Sequence, residues 1–437
     1  MDPARYWNTA LSHDAKKGID FLADIKRIGV VYRDEPLCIF RRPLFIKKSM
    51  AHTYLQLIGA LHRAIRHAKG IIEEDGLDGR PDSLAIRLGL DPRTIELAAI
   101  DPGYASAAVL ARFDTFINND TPHVVELNAE APAGMAFSDR LARLFLNDPC
   151  LPGDENFTAM FSAHAAARSL VDTWRTHHNE NRPVRVALVD FMDVPTRSEF
   201  LIFRDEFVSM GHHCVLSDPR SLDFDGKRLT HNGQHIDIVY RRLLVSDLIE
   251  RPDDCQALLD AYRAGRVLMV NSLRTSLLHG KGLFALLHDP TLQQRLPNRV
   301  VEIIRKHVPW TAILSDQPAI GTPSDLRSKL LAEPHRWIIK PLHGHGGTGV
   351  VIGAECDSTT WSTAIDNAHS HVAQAYVAPN TELFPDATKD YEPTLMRTSL
   401  DPFLVRGKLT GFMCRLTTSL GNVSEGATMV PVLIQTN

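Results

Sequence analysis

Apolar residues recur at helical spacing over three segments within the first 150 residues. They follow a period of three to four residues through about 50–75, about 82–99 and about 138–147, which predicts amphipathic helices there. Between the second and third segments the side chains instead alternate with a period of two, which is typical of strands. The first part of the chain is therefore expected to be mostly helical, with this alternating stretch as the exception.

The alternating stretch reads RFDTFINNDTPHVVELNAEAPAG and begins at Arg112. Arg112 and Asp114 share one face of a first predicted strand, and Glu126 and Asn128 share one face of a second. The turn-forming residues 118–122 lie between them and predict an antiparallel hairpin. The four polar groups are therefore expected to converge on one surface.

After residue 180 the pattern changes to short β-rich runs around one helical segment. Strands are predicted at 184–191, 212–219, 236–243 and 266–272, with a helix at 198–211. This order of strand, helix and strand is typical of a small parallel α/β unit. Arg242 ends the third strand, where ligands often bind such sheets, but we favour a solvated basic turn for it.

These patterns divide the chain into three parts. Residues 1–180 are expected to hold the helical region and the hairpin, 181–274 the small α/β subdomain, and 275–437 helical segments followed by many strands. The predicted fold class is α/β and α+β, because a parallel α/β unit is combined with segregated helices and strands.

A glycine-rich segment, RWIIKPLHGHGGTGVVIGA, lies in the third part. Its glycines match G-x-G-x-x-G, but a dinucleotide-binding fold requires a helix directly after them, and the β-branched run 350–352 follows instead. The sequence has no Gly-Lys-Ser/Thr for a Walker loop. It also lacks the HRD and DFG triplets of protein kinases. The segment is therefore predicted to be a strand–loop–strand hairpin.

This hairpin has features of a phosphate site. Lys340 ends the incoming strand, and five glycines then fall within the ten residues 344–353, so backbone N–H groups can approach phosphate oxygens closely. The alternative is a surface hairpin without a ligand. We favour the nucleotide site, to which a lysine on the strand adds a point charge.

The first hairpin has features of a metal site. The side chains of Asp114, Glu126 and Asn128 offer two carboxylates and an amide oxygen, which are the hard ligands that Mg²⁺ takes together with substrate phosphates. Arg112 fits beside a phosphoryl group that gains negative charge during transfer. The alternative is a solvated face with an Arg–Asp pair, but that does not explain the same period in both strands.

Taken together, these motifs resemble the ATP-grasp superfamily in its circularly permuted branch, similar to the synthetase domain of glutathionylspermidine synthetase. In that branch an R-x-D strand and an E-x-N strand precede the glycine-rich loop, as RFD and ELN do here. VNSLRTSLLHGKGLFALL and AQAYV extend the resemblance over most of the chain after about residue 105. No amidase domain with a nucleophilic cysteine is recognised, so neither spermidine nor glutathione is implied.

The resemblance implies a circularly permuted ATP-grasp fold, ATP and Mg²⁺ as cofactors, and the joining of a carboxylate to an amine through an acyl phosphate, with release of ADP and phosphate. The implied metal ligands are Asp114, Glu126 and Asn128. The implied nucleotide-binding residues are Lys281, Lys340, His345, Gly346, Gly347, Thr348, Gly349, Gln374, Tyr376 and Val377. The candidate catalytic residues are Arg112 and, with a surface ion pair as an equal alternative for each, Arg397 and Arg415.

Two other functions remain open from the sequence. A non-catalytic ATP-binding protein could keep the fold, although the intact metal set argues against it. A phosphotransferase to a hydroxyl needs a general base near its acceptor, and the sequence does not single one out.

Composition narrows the expected partners. The formal net charge is −4 and the pI is near 6.6, which does not suggest a nucleic-acid or membrane partner. The six cysteines are scattered without CxxC spacing, which favours reduced thiols and a cytoplasmic location. The expected partners are small-molecule or peptide carboxylate and amine substrates. Their identities and the oligomeric state stay open.

Overall fold

The computed structural model describes residues 2–12, 18–106, 108–153, 156–314, 322–344, 348–418 and 428–436. The α-helices are α1 Pro3–Ser12, α2 Gly18–Arg27, α3 Lys48–Asp75, α4 Leu84–Arg87, α5 Pro92–Ala99, α6 Met135–Phe145, α7 Ala163–His178, α8 Arg197–Ser209, α9 Val245–Glu250, α10 Gln256–Arg263, α11 Ser276–His279, α12 Gly282–Leu287, α13 Pro290–Gln294, α14 Asn298–His307, α15 Leu326–Ala332 and α16 Ser358–Asp366. In these residues we find no helix with the length and apolar character needed to cross a membrane.

The strands are β1 Val31–Tyr32, β2 Glu35–Pro36, β3 Leu44–Lys47, β4 Leu110–Asn118, β5 Thr121–Asn128, β6 Phe157–Thr158, β7 Arg185–Val189, β8 His213–Ser217, β9 Leu222–Phe224, β10 Leu229–His231, β11 Gln234–His235, β12 Ile238–Arg241, β13 Leu268–Val270, β14 Thr311–Leu314, β15 Trp337–Pro341, β16 Val351–Ile352, β17 His371–Ala375, β18 Thr381–Asp386, β19 Glu392–Thr398, β20 Asp401–Val405, β21 Lys408–Thr417, β22 Thr428–Val430 and β23 Val432–Gln435. Three sheets position the site, and short sheets formed by β1–β2, β9–β11 and β3–β23–β6 complete the described strands.

The first of the three sheets is parallel and has the order β13-β12-β7-β8. Every residue of β12 is buried, as expected for a strand whose two faces are both covered. Helix α8 packs against β8. The predicted strand, helix and strand order and the added strand at 266–272 are confirmed, whereas the division of the chain into three parts stays a prediction.

The second sheet is antiparallel, has seven strands and carries the predicted hairpin. Its order is β18-β19-β21-β20-β4-β5, with β22 paired to β21. At the β4–β5 turn Asn119 and Asp120 both have positive φ, 47° and 57°, a conformation that Asn and Asp tolerate better than most residues. The register pairs Asp114 with Glu126, and a bulge follows directly after Asp114.

The third sheet is antiparallel with the order β14-β17-β15-β16, and its own small core includes Trp361, Leu330 and Ala373. β15 and β16 pair as antiparallel neighbours through Ile338–Ile352 and Ile339–Val351. The glycine-rich segment is therefore a strand–loop–strand unit, as its sequence predicts.

Helix α3 spans 28 residues and confirms the helix predicted at about 50–75. It packs against β21, and the hydroxyl of its buried Tyr54 lies 2.6 Å from Thr115 Oγ1. Tyr54 also donates a hydrogen bond to the Leu400 carbonyl. The long helix thus supports the sheet directly beside Asp114.

The helical spacing at about 82–99 corresponds to two helices, α4 and α5, with a break between them. Gly89 has a φ of +90°, which ends α4 in a conformation that side chains disfavour. A new helix then begins, in which the Asp91 side chain accepts a hydrogen bond from Arg93 N and Pro92 occupies the first turn. The spacing of apolar residues alone does not show where α4 ends and α5 begins.

Arg242 is also placed differently from the expectation. It is only 6% exposed, and its Nη2 lies 3.2 Å from Glu199 Oε2. The interpretation as a solvated basic turn is therefore wrong. A buried guanidinium needs a compensating carboxylate, and here the carboxylate comes from α8, 43 residues earlier in the chain.

Candidate functional site

A cleft lies between the seven-stranded sheet and the β14–β17 sheet, and most of the predicted site residues line it. The lining residues are Arg112, Asp114, Phe116, Val125, Glu126, Asn128, Lys281, Ile338, Lys340, Pro341, Gly344, Thr348, Val350, Gln374, Ala375, Tyr376, Val377 and Arg415. The polar side chains that alternate in the sequence with a period of two therefore form one wall of the cleft.

Asp114 is at the centre of this wall. Its Oδ1 accepts hydrogen bonds from Arg112 Nε at 2.9 Å and from Asn128 Nδ2 at 3.0 Å. Its Oδ2 lies 2.8 Å from Arg415 Nη2. Burial opposes ionisation, but Arg112 and Arg415 outweigh it and hold the pKa of Asp114 at about 2. Asp114 is therefore a carboxylate at neutral pH.

Arg415 links Asp114 to a second carboxylate that the sequence did not single out. Its Nε donates to Asp401 Oδ2 at 2.7 Å. Asp401 is fully buried and also accepts hydrogen bonds from Thr115 N and Ser399 Oγ. Burial raises the pKa of Asp401, while Arg415 opposes this shift. The ion pair is thus part of the site, and Arg415 is not a surface residue.

Two lysines enter the cleft from different elements. Lys281 lies before α12, with its Nζ 3.7 Å from Glu126 Oε1 and donating to the Gly344 carbonyl at 3.0 Å. Lys340, on β15, donates to Gln374 Oε1 at 2.7 Å. Burial lowers the pKa of Lys340 to about 8, with Glu126 opposing this shift. Both charges therefore border the same cavity as the acidic wall.

The described part of the glycine-rich loop borders the cleft at Gly344 and Thr348. Gly344 has a φ of +120° and Gly349 a φ of +72°, and a Cβ at Gly349 would lie 2.8 Å from Pro341 Cγ. Both positions therefore require glycine. The predicted ligands His345, Gly346 and Gly347 lie outside the described residues.

Comparison with known proteins is consistent with this geometry. Residues 220–378 match the family model described as a circularly permuted ATP-grasp. This part of the chain is therefore similar to a circularly permuted ATP-grasp domain. The matched residues include both lysines and the glycine-rich loop, whereas the β4–β5 hairpin lies outside them. Comparison with curated proteins finds no match.

One solved structure has a similar fold over nearly the whole chain. A glutathione synthetase-like effector from Globodera pallida, in its apo form, is similar with a TM-score of 0.63 and 13% sequence identity, covering 99% of this chain and 97% of that one. A putative γ-glutamylcysteine synthetase from Methylobacillus flagellatus KT has a TM-score of 0.43 and 12% identity, covering 79% and 84%. The first comparison supports the fold alone, and the second carries no argument.

The oxygen donors of the cleft are of the type that Mg²⁺ binds. Asp114 Oδ1 already accepts two hydrogen bonds, whereas among the residues that the structure describes Oδ2 accepts only the contact from Arg415. Oδ2 therefore keeps a lone pair for a cation. Asn128 uses its amide nitrogen on Asp114, which leaves its oxygen as a possible ligand. Within the described residues, the ion-pair partner of Glu126 is Lys281. Together these groups supply hard oxygen ligands.

The residues predicted to lie near the adenine differ in their contacts. Tyr376 and Val377 line the ATP-grasp cleft. Gln374 does too, but its side chain is 2% exposed and bonded to Lys340 and to Thr311 Oγ1. Its role in reading adenine stays a prediction, and its observed contacts are those of a residue that orients Lys340. Arg397 lies outside the cleft lining.

Arg397 instead pairs with Glu355, with an Nη2 to Oε1 distance of 3.1 Å. This is the ion pair that the sequence left as an equal alternative. The structure therefore brings Arg112 and Arg415 to the acidic wall, but not Arg397.

The segment that follows β5 is held by residues that sequence reasoning missed. Arg242 Nη1 donates to the Pro132 carbonyl and Arg112 Nη1 to the Ala133 carbonyl, each at 3.0 Å. Glu199 Oε1 accepts from Gly134 N at 2.8 Å and from Ala136 N at 3.1 Å. Arg112 donates hydrogen bonds to Asp114 and to the Ala133 carbonyl. Residues of the small α/β unit therefore hold the segment that carries the second of these acceptors. No local sequence signal marks Glu199, because its partners are distant in the chain.

Asn271 fixes the other end of the same segment. Its side-chain amide donates to the carbonyls of Leu110, Ala129 and Glu130, and its Oδ1 accepts from the N–H groups of Val109 and Leu110. The start of β4 and the end of β5 are therefore tied together by one buried side chain. In the sequence, Asn271 was noted only as part of the segment VNSLRTSLLHGKGLFALL, which extends the family resemblance.

Proposed function

We propose that this protein is an ATP-dependent ligase that joins a carboxylate to an amine through an acyl phosphate and releases ADP and phosphate. One observation carries the proposal: a single cleft is lined at once by Asp114, Glu126, Asn128, two lysines, two arginines and the glycine-rich hairpin. Nucleotide binding alone does not require a metal-ligand set joined to two arginines, whereas phosphoryl transfer needs both.

Each group has a proposed task. Asp114, Glu126 and Asn128 would hold Mg²⁺, which would neutralise charge on the phosphates. The lysines, together with backbone N–H groups of the glycine-rich loop, hold the phosphate chain. Arg112 and Arg415 stand beside the transferred group and offset its developing negative charge. The adenine lies toward Tyr376 and Val377.

The proposed reaction proceeds in two displacements. A carboxylate oxygen of the first substrate attacks the γ-phosphorus, and the bond to the β-phosphate oxygen breaks, so ADP leaves. The nitrogen of the amine then attacks the acyl carbon and loses a proton, and phosphate leaves. The protein mainly supplies positioning and charge neutralisation, and no protein nucleophile is needed.

Product analysis tests this proposal. We expect ADP and phosphate to form in equal amounts when Mg-ATP is incubated with the correct acid and amine from pools of amino acids, peptides and polyamines. With the acid alone, hydroxylamine should trap the acyl phosphate as a hydroxamate, detected by mass spectrometry. AMP as the stoichiometric product would contradict the mechanism, and a phosphoester product would indicate a phosphotransferase instead.

The affinity for Mg-ATP should depend on pH through Lys340. Its pKa is about 8 in the free protein, and a neighbouring phosphate favours the ammonium form, so the pKa rises in the complex and binding takes up a proton. Affinity should therefore be greatest below pH 8 and fall as the pH rises above it, by at most about tenfold per unit. Calorimetric titration between pH 6.5 and about 9.5 measures this.

A matched variant isolates the lysine. Lys340→Met removes the titrating group, so the remaining affinity should be lower and nearly independent of pH across the same range. An unchanged affinity in Lys340→Met, or a wild-type affinity that rises above pH 8, would contradict the assignment of Lys340 to the phosphates.

A further inference from the structure

Asp401 is a fully buried carboxylate that lies behind the polar wall of the cleft. Its Oδ1 accepts a hydrogen bond from Thr115 N at 2.9 Å, and its Oδ2 accepts from Ser399 Oγ and from Arg415 Nε, each at 2.7 Å. Because both oxygens accept from N–H groups, the contacts suit the ionised form of the side chain. The wall of the cleft is therefore backed by a buried negative charge.

The strand geometry gives Asp401 a first structural task beside Asp114. The pairing of β20 with β4 ends at Phe403–Arg112, and both Asp401 and Thr115 lie beyond this pair. The bulge between β4 and β5 follows directly after Asp114. Here the Asp401 carboxylate accepts the hydrogen bond from Thr115 N, which a backbone carbonyl would accept in a regular ladder. Asp401 thus holds the backbone immediately after Asp114.

The same carboxylate holds Arg415, which also contacts the proposed metal ligand Asp114. Arg415 Nε donates to Asp401 Oδ2 at 2.7 Å, and Arg415 Nη2 lies 2.8 Å from Asp114 Oδ2. One guanidinium therefore bridges two carboxylates, and its positive charge is shared between them. A guanidinium that paired with Asp114 alone would repel a cation at the same oxygen more strongly.

We propose that Asp401 is a positioning residue that keeps Asp114 available to Mg²⁺ by sharing Arg415. This inference rests on the metal site of the proposed function and extends it to a residue behind the cleft. With Asp401 in place, Nε of Arg415 is fixed and only the other end of the guanidinium reaches Asp114. Without Asp401, the whole guanidinium would compete with the metal for Asp114. Asp401 therefore sets how strongly nucleotide binding depends on the metal.

Nucleotide binding with and without Mg²⁺ tests this role. The metal advantage is the ratio of two Kd values for β,γ-methylene-ATP, the first in excess EDTA and the second in excess Mg²⁺, measured by calorimetry on the full protein. Asp401→Asn should lower this ratio by roughly 5- to 20-fold relative to the wild-type protein. The asparagine keeps an oxygen for Thr115 N, whereas its amide nitrogen cannot accept from Arg415, which then pairs with Asp114 alone.

The two Kd values separate positioning from a loss of stability. Asp401→Asn adds one positive charge near the cleft, so the metal-free nucleotide, which carries more negative charge, should bind at least as tightly as it does to the wild-type protein. The Mg²⁺ complex should bind more weakly. A partly unfolded variant would bind both forms more weakly. An unchanged metal advantage, or equal weakening of the two forms, overturns the inference.

Asp237→Asn is a matched control in the small α/β unit. Asp237 is 5% exposed, and it accepts hydrogen bonds from Arg185 N at 2.8 Å and from Arg182 Nη2 at 2.7 Å. The variant therefore loses the same charge and the same kinds of contact, an arginine and a backbone N–H group, away from the cleft lining. Its metal advantage should equal that of the wild-type protein. A fall as large as that in Asp401→Asn overturns the inference.

A double variant tests whether Asp401 acts through Arg415. Asp401→Asn combined with Arg415→Gln removes both charges of the pair, so it should fold even where the single variant does not, because removing one partner of a buried pair is the more damaging change. With no guanidinium left to compete for Asp114, the metal advantage should lie within about threefold of the wild-type value. A loss as large as the one expected for Asp401→Asn overturns the inference.

The outcomes also separate this inference from the proposed function. If Mg²⁺ strengthens binding to the wild-type protein and equally to Asp401→Asn, the role of Asp401 alone is overturned. If Mg²⁺ does not strengthen binding to the wild-type protein, the metal site and the role of Asp401 are both overturned. If the variants behave as expected but no acid and amine give ADP and phosphate, the ligase reaction is overturned while the role of Asp401 is supported.

Discussion

Glu126→Gln is expected to lower the rate of ADP formation by roughly 10²–10³-fold while the free energy of unfolding stays nearly unchanged. The substitution keeps the shape of the side chain and removes the charge of a proposed metal ligand. In the described residues the only ion-pair partner of Glu126 is Lys281, at 3.7 Å, and its side chain is 22% exposed, so little stability depends on it. Coupled ADP release and thermal unfolding measure the two effects.

Asp114→Asn is the informative comparison for Glu126→Gln. It should lose activity to a similar degree, but it should also lower the free energy of unfolding by about 3 kcal/mol, because Arg112 and Arg415 lose a buried carboxylate. Arg415 keeps Asp401, which limits the loss. Near-normal turnover in Glu126→Gln, or equal stability losses in the two variants, would contradict the assigned roles.

Glu199→Gln is expected to lower the free energy of unfolding by about 3 kcal/mol and to reduce the preference for ATP over ADP by roughly three- to tenfold. The stability loss follows because Arg242 is left buried opposite an uncharged amide. The loss of preference follows because Glu199 and Arg242 hold the segment whose Ala133 carbonyl anchors Arg112, which is proposed to stand beside the γ-phosphoryl group. Denaturation curves and competitive nucleotide binding measure the two quantities.

Asp139→Asn is a matched control for Glu199→Gln. Asp139 is also buried, at 7% exposure, and its two oxygens accept hydrogen bonds from the N–H groups of Ser162 and Ala163 at the start of α7. Its removal should destabilise the fold to a comparable degree without altering the ratio of ATP to ADP affinity. An equal change of that ratio in both variants would show that Glu199 acts only through stability.

We expect the preference for ATP over ADP to depend also on Arg112 itself, so the proposed link between Glu199 and Arg112 can be tested. If Glu199 acts by positioning Arg112, the effects of Glu199→Gln and Arg112→Lys on that preference should not add in the double variant. Additive effects would indicate that Glu199 influences the nucleotide through another residue.

The sequence by itself determined the elements that depend on local geometry. Side chains alternate along a strand, so the period of two placed Arg112, Asp114, Glu126 and Asn128 on shared faces, and the turn residues fixed their hairpin. The parallel α/β unit and the strand–loop–strand form of the glycine-rich segment followed from equally local patterns. The glycine-rich segment itself indicated Lys340, and resemblance to a family then supplied Lys281, which no periodicity relates to the hairpin.

Only the tertiary structure decided which charges share an environment, because the partners of a buried charge are set by packing between distant segments. Arg415 lies 301 positions after Asp114 in the numbering but contacts it directly, whereas Arg397 remains with Glu355. Arg242 is buried because α8 provides Glu199. Gln374 is engaged by Lys340 because β15 and β17 are neighbours. Alternation fixes the face of a side chain, but the sheet order and the elements packed on it determine what that face meets.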